Sequence, residues 1–385
     1  NTPGLNLLIA NTSMKPINQF LLDHNIRIAD NPCISPDFCL DWPALCESIS
    51  ANAVTHHKAS NVDTSCGTFS LVSDVHGDHA WKLMLIDGEK APGAFTNGRR
   101  IGDAYYFPTT FENLIAFKNL VQESDPESTV FPGTGANLAR STLGVGARFT
   151  TLHWPGVFWA MKQLGIGFTA NQNSIPRELV YDVDKMLAHE LDVVPFPFIG
   201  TNVPEGHQGQ SVQGMSQGCV LENLKTGFHK ARIPWSFNAD HQPIGGKFDS
   251  REDLLVSGCL FATYITFDLS PELSQTTVPE SHNEQQAWAS ANIDKSLVDA
   301  LRQQVTKAGC ELREEDLYRL LCYVWPAMVK MKARDEKYRL AREFAFTTSW
   351  GRGYLRELSI DELPGLTTAQ TTVIMLALCE LMGMP

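Results

Sequence analysis

Residues 233–273, IPWSFNADHQPIGGKFDSREDLLVSGCLFATYITFDLSPEL, decide the predicted fold. The short apolar run at 233–237 predicts a buried strand, and the run at 264–267 predicts a second strand that ends at Asp268. Between them Ser250 is the predicted N-cap of a helix whose first turn is acidic. The stretch therefore predicts a β–α–β unit.

The first predicted strand of this unit runs into Asn238, Ala239, Asp240 and His241. In parallel α/β folds, ligands and catalytic groups lie at the carboxyl ends of the strands. A carboxylate beside an imidazole at that edge predicts a catalytic site. The alternative interpretation is that Asp240 caps a turn and that His241 is a surface residue.

The length, charge and composition of the chain make some classes of function unlikely. The 385 residues are enough for a large α/β domain with an accessory region. A formal net charge of -12 argues against non-specific binding to nucleic acid or to an anionic membrane surface. We find no apolar run of membrane-spanning length, no signal-peptide pattern and no C-x-x-C pair, so we expect a soluble, cytoplasmic protein without a zinc knuckle.

Two regions of the sequence differ in the order of their predicted strands and helices. Residues 1–140 predict an α/β accessory region with strands at 26–30, 67–73 and 79–87 and an amphipathic helix at 111–121. Residues 141–385 predict a (β/α) TIM-barrel-like catalytic domain. Its strands are predicted at 148–152, 167–171, 193–198, 233–237, 264–267 and 354–360.

A helical insertion is predicted at about 270–350 within the second region. Residues 270–286 are expected to form a loop or lid, and the helix at 313–343 is expected to kink or split at Pro326. Six strands do not close a barrel of eight, so either the barrel is incomplete or the fold is not a closed barrel. A doubly wound sheet is the alternative, although no G-x-G-x-x-G motif indicates a dinucleotide site.

Alternation along the last predicted strand marks Glu357 as a second catalytic candidate. Glu357 shares one face with Leu355 and Ser359, while Arg356 and Leu358 share the other. If the second face packs on helices, Glu357 points into the barrel, where an isolated carboxylate is costly. The candidates for substrate binding follow predicted strands or strand-end loops: His153, Gln172, Asn173, Arg177 and Lys247.

Seven short motifs resemble the tagaturonate epimerase family in their content and order. They are GEKAPGAF (88–95), FENLIAF (111–117), ARFTTLHWP (147–155), TANQNSIPRE (169–178), NADH (238–241), TFDLS (266–270) and RELSIDE (356–362). The resemblance implies a metal-dependent enzyme that interconverts D-tagaturonate and D-fructuronate, with a sugar acid as its partner.

By position in these motifs, the resemblance implies that Asp240 is the proton acceptor, His241 a metal ligand and Glu357 the proton donor. It implies a divalent cation, for which Zn, Mn, Co, Ni and Fe are all plausible. Arg177 and Lys247 are candidates for holding the substrate carboxylate, which arginine can bind through two parallel hydrogen bonds. The resemblance also implies a further strand with more metal ligands after residue 385, so we expect the barrel and the metal site to be incomplete in this chain.

Two other functions remain open at this point. A ketose 4-epimerase acting on fructose and tagatose, or a metal-dependent aldolase, differs only in what replaces the residues that hold a carboxylate. A non-catalytic sugar-binding barrel belongs to a different class. It predicts that Asp240→Asn leaves the affinity for the ligand unchanged.

Overall fold

A computed structural model describes residues 40–75, 78–134, 141–146, 150–170, 206–207, 210–311, 313–359 and 367–384. Within these ranges the side chains of residues 150–153, 206, 207, 210, 211, 214, 247, 251 and 254 are not described. The strands predicted at 26–30 and 193–198 lie outside the described residues.

The described strands, in chain order, are β1 Thr55–Thr64, β2 Gly67–Ser73, β3 His79–Leu85, β4 Arg99–Ile101, β5 Ala104–Pro108, β6 Thr142–Val145, β7 Gly167–Ala170, β8 Gly206–His207, β9 Gln210–Ser211, β10 Trp235–Pro243, β11 Tyr264–Asp268 and β12 Leu355–Ser359. The described α-helices are α1 Trp42–Ser50, α2 Phe111–Ser124, α3 Thr150–Leu164, α4 Val212–Thr226, α5 Glu252–Gly258, α6 Ser270–Leu273, α7 His282–Asn292, α8 Lys295–Lys307, α9 Glu314–Ala345, α10 Ser349–Arg352 and α11 Ala369–Leu381. Short 3-10 helices occupy Phe228–Ala231 and Gly246–Arg251. None of these helices is both long and apolar enough to cross a membrane.

The chain divides into two compact units. The first contains the described residues up to 131 together with those in 150–166 and 206–233. The second contains the described residues in 132–146 and 167–170 and those from 234 onward. All strands of the β–α–β stretch therefore belong to the second unit.

The first unit is built on an antiparallel sheet with the strand order β1-β2-β3-β5-β4. The strands predicted at 67–73 and 79–87 and the helix predicted at 111–121 are confirmed as β2, β3 and α2. An aromatic core joins the sheet to α2, where the ring of Trp81 lies 4.4 Å from that of Phe117. Burial of such large rings contributes most of the apolar stabilisation of a small unit.

The strand predicted at 148–152 is wrong, because residues from Thr150 onward belong to α3. Trp154, Phe158 and Met161 are buried at helical spacing, and Phe158 packs 5.0 Å from Phe228. This apolar stripe outweighs the strand preference of the β-branched residues before it. His153 therefore lies inside a helix rather than at the end of a strand.

The second unit contains a parallel sheet with the strand order β12-β11-β10-β7-β6. β7 pairs directly with β10, Phe168 opposite Trp235, so no strand is inserted between these two. β6 and β12 are the edges of the sheet that the described strands form, and this sheet is open. The α/β class with a parallel sheet is thus confirmed, whereas a closed barrel is not found among the described residues.

The two faces of this sheet differ in polarity. One face carries Phe237, Ile265 and Phe267, all buried, and Phe267 packs 5.9 Å from Tyr338 of α9. Arg356 lies on the same face and pairs with Asp335 of α9 at 2.7 Å. Since alternate residues of a strand point to opposite faces, Glu357 points away from α9, as the alternation predicts.

The long insertion is more ordered than predicted. Residues 270–286 include α6 and the start of α7, and Ser281 caps α7 through a capping box with Glu284. The helix predicted at 313–343 is α9, and it continues through Pro326 as one helix. The prediction that residues 270–286 form a loop or lid is therefore wrong for the nine residues at 270–273 and 282–286, which are helical.

A row of ion pairs joins α9 to the 3-10 helix after β10 and to the helices α5 and α6. Lys330, Arg334 and Lys337 share one face of α9 by their spacing. Their partners are Asp249, Glu252, Asp253 and Glu272. Arg334 is 1% exposed and its Nε lies 2.7 Å from Glu252. The buried charge of Arg334 is thus balanced by Glu252, which is 21% exposed and begins α5.

Gly245 allows the chain to turn closely past α6. It has a φ of +89°, and an added Cβ would lie 2.6 Å from Cβ and 3.0 Å from Cα of Glu272. The first 3-10 residue after it, Gly246, also has a positive φ of +58°. The α-helix begins at Glu252 rather than after an N-cap at Ser250, because residues 246–251 form a 3-10 helix.

We expect Gly245→Ala to lower the free energy of unfolding more than Gly309→Ala does. Gly309 has a φ of +76°, and apart from its chain neighbours no described residue lies within 4 Å of an added Cβ, so Gly309→Ala measures the backbone cost alone, about 1 kcal/mol. The clash with Glu272 adds about 1–3 kcal/mol at position 245. Urea unfolding of both variants measures the difference in their free energies of unfolding. Equal losses of this free energy would contradict the close approach of Gly245 to Glu272.

Candidate active site

The candidate active site begins with a bulge in β10. Ala239 pairs with Ile265 and Gln242 with Phe267, so two residues of β10, Asp240 and His241, lie where β11 has one. Ala239 and Gln242 are both fully buried on the face that packs on helices, and the Sγ of Cys259 lies 3.3 Å from Gln242. The extra residue therefore places both Asp240 and His241 on the opposite, polar face.

The bulge carries a strained backbone at His241. Its φ is +46°, a left-handed conformation that non-glycine residues adopt rarely. Such conformations persist only where the surrounding structure enforces them, and they cluster at functional sites. Beyond the bulge, Ile244 donates its N–H to the carbonyl of Asp268 at 2.9 Å, which restores the pairing. β10 is thus longer than the predicted strand and includes the catalytic candidates.

His241 lies between two carboxylates. Its Nδ1 is 3.5 Å from Oδ2 of Asp268, and its Nε2 is 3.9 Å from Oδ1 of Asp240. The three side chains are 19%, 6% and 13% exposed for His241, Asp268 and Asp240. A partly enclosed imidazole between two carboxylates is an arrangement suited to proton transfer.

Asp268 is held at the carboxyl end of β11 by the start of α6. Its Oδ1 accepts hydrogen bonds from the Ser270 backbone N–H, at 2.9 Å, and from the Ser270 hydroxyl. Burial raises the pKa of Asp268, but the hydrogen bonds from His241 and Ser270 outweigh burial and leave the pKa below its usual value. Asp268 is therefore an ionised hydrogen-bond acceptor at neutral pH.

Glu357 reaches the same face from β12. It pairs in register with Thr266 of β11, whose Oγ1 lies 2.6 Å from Oε2 of Glu357 and 3.2 Å from Oδ1 of Asn238. A hydroxyl has one proton to donate, and the shorter contact is the one to Glu357. Thr266, which is 3% exposed, thus connects the polar face of β10 with that of β12.

The electrostatics of Asp240 differ from those of a surface aspartate. Burial away from water raises the pKa of Asp240 to about 6, the nearby His241 opposes the shift, and the negative charge of Glu357 adds to it. A carboxyl whose pKa lies near neutrality can both accept and return a proton. The interaction also shows that Asp240 and Glu357 belong to one electrostatic site.

The structure brings together three of the residues predicted from the sequence: Asp240, His241 and Glu357. Gln172, Asn173 and Arg177 lie outside the described residues, as do the side chains of His153 and Lys247. Thr266 and Asn238 were not predicted, and Asp268 was predicted only as a strand end. Alternation in residues 264–268 was the available signal, since it places Thr266 and Asp268 on one face.

The donors in the described part of the chain do not fit the implied metal ion. No group of three or more histidine, cysteine, aspartate or glutamate side chains there is arranged to hold a metal ion. A metal site needs such a set with short distances from each donor to one point. The described residues therefore do not form a complete metal site.

We expect Asp240→Asn to stabilise the chain at pH 7 and to have little effect below pH 4. The folded-state pKa of about 6 lies above that of an unfolded aspartate, so the wild type loses stability as the pH rises through this window. The free energy of unfolding that the wild type loses is at most about 3 kcal/mol, because its pKa is raised from 3.8 to about 6 and one pKa unit corresponds to about 1.4 kcal/mol. Urea unfolding from pH 4 to 7 measures it. Glu127→Gln, which removes a 91% exposed carboxylate, is the control. A gain that does not change with pH would contradict the raised pKa.

Three solved structures of the fructuronate-tagaturonate epimerase UxaE from Cohnella laeviribosi are similar to this chain. The native structure is 16% identical in sequence, with 88% of this chain and 58% of that chain covered and a TM-score of 0.45. The structure with one glycerol is 15% identical, with the same coverages and TM-score. The structure with two glycerols is 14% identical, with coverages of 90% and 60% and a TM-score of 0.43. This chain thus spans about three fifths of the length of these chains.

No protein-family model and no curated protein sequence matches this chain. The three structures are of the enzyme type that the sequence motifs resemble.

Proposed function

We propose that the chain forms the acid/base part of a sugar-acid epimerase that interconverts D-tagaturonate and D-fructuronate. The observation that carries the proposal is that Asp240 of β10, whose pKa is raised to about 6, and Glu357 of β12 lie on one face of the parallel sheet, with Thr266 of β11 between them. The order of the sequence motifs supports the choice of substrate.

The two sugar acids differ at a carbinol carbon that is β to the ketone, where the C–H bond is not acidic. Retro-aldol cleavage avoids this difficulty. A base removes the proton of the β hydroxyl, the bond between the α and β carbons breaks, and its electron pair forms an enediolate while the β carbon becomes an aldehyde. The aldehyde turns over, the carbon–carbon bond forms again on its other face, and the new alkoxide takes a proton.

In this scheme Asp240 accepts the hydroxyl proton and Glu357 returns a proton after the bond has formed again. The reaction is reversible, so each carboxyl must also act in the opposite sense. A pKa of about 6 suits Asp240 for both tasks at neutral pH, because a group titrating near the working pH transfers protons most effectively. Thr266 holds the Glu357 carboxylate in place through their 2.6 Å hydrogen bond.

The divalent metal and the closed barrel stay predictions within this proposal. A divalent metal ion would supply Lewis-acid stabilisation of negative charge, and His241 is the residue predicted to help hold it. The substrate carboxylate would be held by Arg177 and Lys247, as predicted from the sequence. A neutral ketose such as fructose is the alternative substrate.

The full-length protein that contains this chain should convert D-tagaturonate into D-fructuronate, and Asp240→Asn and Glu357→Gln should each lower its kcat by about 10²–10⁴-fold. The matched control is Glu336→Gln, which removes a carboxylate that is 53% exposed on α9. The assay runs with the chain stripped by EDTA and with each divalent cation added back, on both tagaturonate and fructose. Absence of conversion under every condition, or full activity of Asp240→Asn, would overturn the proposal.

The retro-aldol route also predicts where solvent hydrogen enters the product. In D2O the inverted carbon should keep its original hydrogen, because the aldehyde carries that hydrogen through the reaction. Direct proton transfer at this carbon would instead place deuterium there. Proton NMR of the fructuronate formed distinguishes the two routes, and deuterium at the inverted carbon would exclude retro-aldol cleavage.

A further inference from the structure

We propose that a cavity inside the helical insertion binds a small carboxylate with an apolar body. The cavity has a volume of about 440 Å³ and lies between α7, α8 and the start of α9. Pockets of roughly 300–1,000 Å³ are typical of small-molecule sites. None of the described residues that line the cavity belongs to the candidate active site, so this proposal does not depend on the proposed function.

Part of the cavity wall is apolar. It is formed by Ala289 of α7, by Ile293 at the end of that helix and by Val298 of α8. Each of these side chains is at most 6% exposed, so little bulk water reaches this wall. A recessed apolar wall favours contact with the body of an apolar ligand over contact with water.

Arg302 of α8 also lines the cavity, and three side chains hold it in place. Its Nη1 lies 3.1 Å from Oδ1 of Asp299, and its Nη2 lies 2.8 Å from Oε2 of Glu314. Nη2 also lies 2.7 Å from Oη of Tyr318, whose ring centroid is 5.6 Å from the guanidinium carbon. The position of the guanidinium is thus set before a ligand binds, which lowers the entropic cost of binding.

One donor of Arg302 is not used by these contacts. Its Nε is buried and has no hydrogen-bond acceptor in the described part of the chain. A buried N–H without an acceptor is costly, so such a donor indicates that a bound molecule supplies the acceptor. A carboxylate oxygen in the cavity would accept this hydrogen bond, and the guanidinium charge would strengthen it.

Lys295 adds a second positive charge to the cavity wall. Asp299 is the one carboxylate among the described lining residues, and it already pairs with Arg302. The ammonium of Lys295 forms no ion pair or hydrogen bond with any residue that the structure describes. Lys295 and Arg302 are seven residues apart, so they lie on the same face of α8, and the flexible stem of the lysine lets its ammonium approach an anion bound at Arg302. The cavity therefore favours an anionic ligand over a neutral one.

The experiment titrates the full-length protein that contains this chain with benzoate, and with benzamide as a neutral ligand of the same shape. Calorimetry measures the affinity, and ¹H–¹³C methyl spectra locate the binding through the signals of Ile293 and Val298. Ile293→Val identifies the signal of Ile293. We expect benzoate to bind and to shift both methyl signals. Benzamide should bind about tenfold more weakly, because it cannot form a charge-assisted hydrogen bond as an anion.

Two variants test the residues of the wall. Lys295→Gln should weaken the binding of benzoate about tenfold and change the binding of benzamide little. Ser290→Trp should abolish binding of both, because Ser290 lines the cavity and the larger side chain would fill it. Lys307→Gln is the control, since it removes an exposed charge in the last turn of the same helix and should leave the affinity unchanged.

Absence of benzoate binding at about 10 mM would overturn the proposal, as would binding that leaves the Ile293 methyl signal unchanged. Equal affinities for benzoate and benzamide, or an unchanged affinity for benzoate in folded Lys295→Gln, would also contradict it. Circular dichroism shows whether the variants are folded. The titration needs no sugar acid, so its outcome and that of the epimerase assay are independent of each other.

Discussion

One extra residue in β10 sets the geometry on which the candidate active site depends. In a regular strand two consecutive side chains point to opposite faces, so Asp240 and His241 would be separated by the sheet. Here Ala239 and Gln242 both face the helices, and the two ionisable residues between them share the polar face. The cost is a left-handed backbone at His241, with a φ of +46°.

The surrounding structure compensates for this strain at the carboxyl edge of the sheet. The N–H of Ile244 pairs with Asp268 directly after the bulge, and Gly245 lets the chain pass close to α6. Ion pairs from α9, among them that of the buried Arg334 with Glu252, hold the start of α5, which follows the 3-10 helix. The long helical insertion thus stabilises the part of the sheet where the catalytic candidates lie. The same region contains the mostly buried carboxylate of Asp240. Its raised pKa suits proton transfer but lowers the stability of the folded chain at neutral pH.

Much of the second unit could be predicted from the sequence because local pattern and tertiary structure agree there. β11, β12 and α9 follow from short apolar runs, alternation and helical periodicity, and alternation alone placed Glu357 on the face opposite the helices. The bulge could not be predicted, since its cause is the pairing of β10 with β11 on both sides of it. The sequence of residues 150–152 predicts a strand. These residues are helical in the structure, where Trp154 and Phe158 of the same helix are buried. The role of Thr266 depends on register between strands that are far apart in the chain, which no local pattern contains.

The bulge and the parallel register place Asp240 and Glu357 on one face of the sheet, where they act on each other electrostatically. The most direct test is a ¹³C NMR titration of the Asp240 carboxyl in the wild type and in Glu357→Gln. The structure predicts a pKa of about 6 in the wild type and a lower pKa in Glu357→Gln, because the negative charge of Glu357 contributes to the shift. An ordinary aspartate pKa in the wild type, or a raised pKa that does not respond to Glu357→Gln, would contradict a shared site.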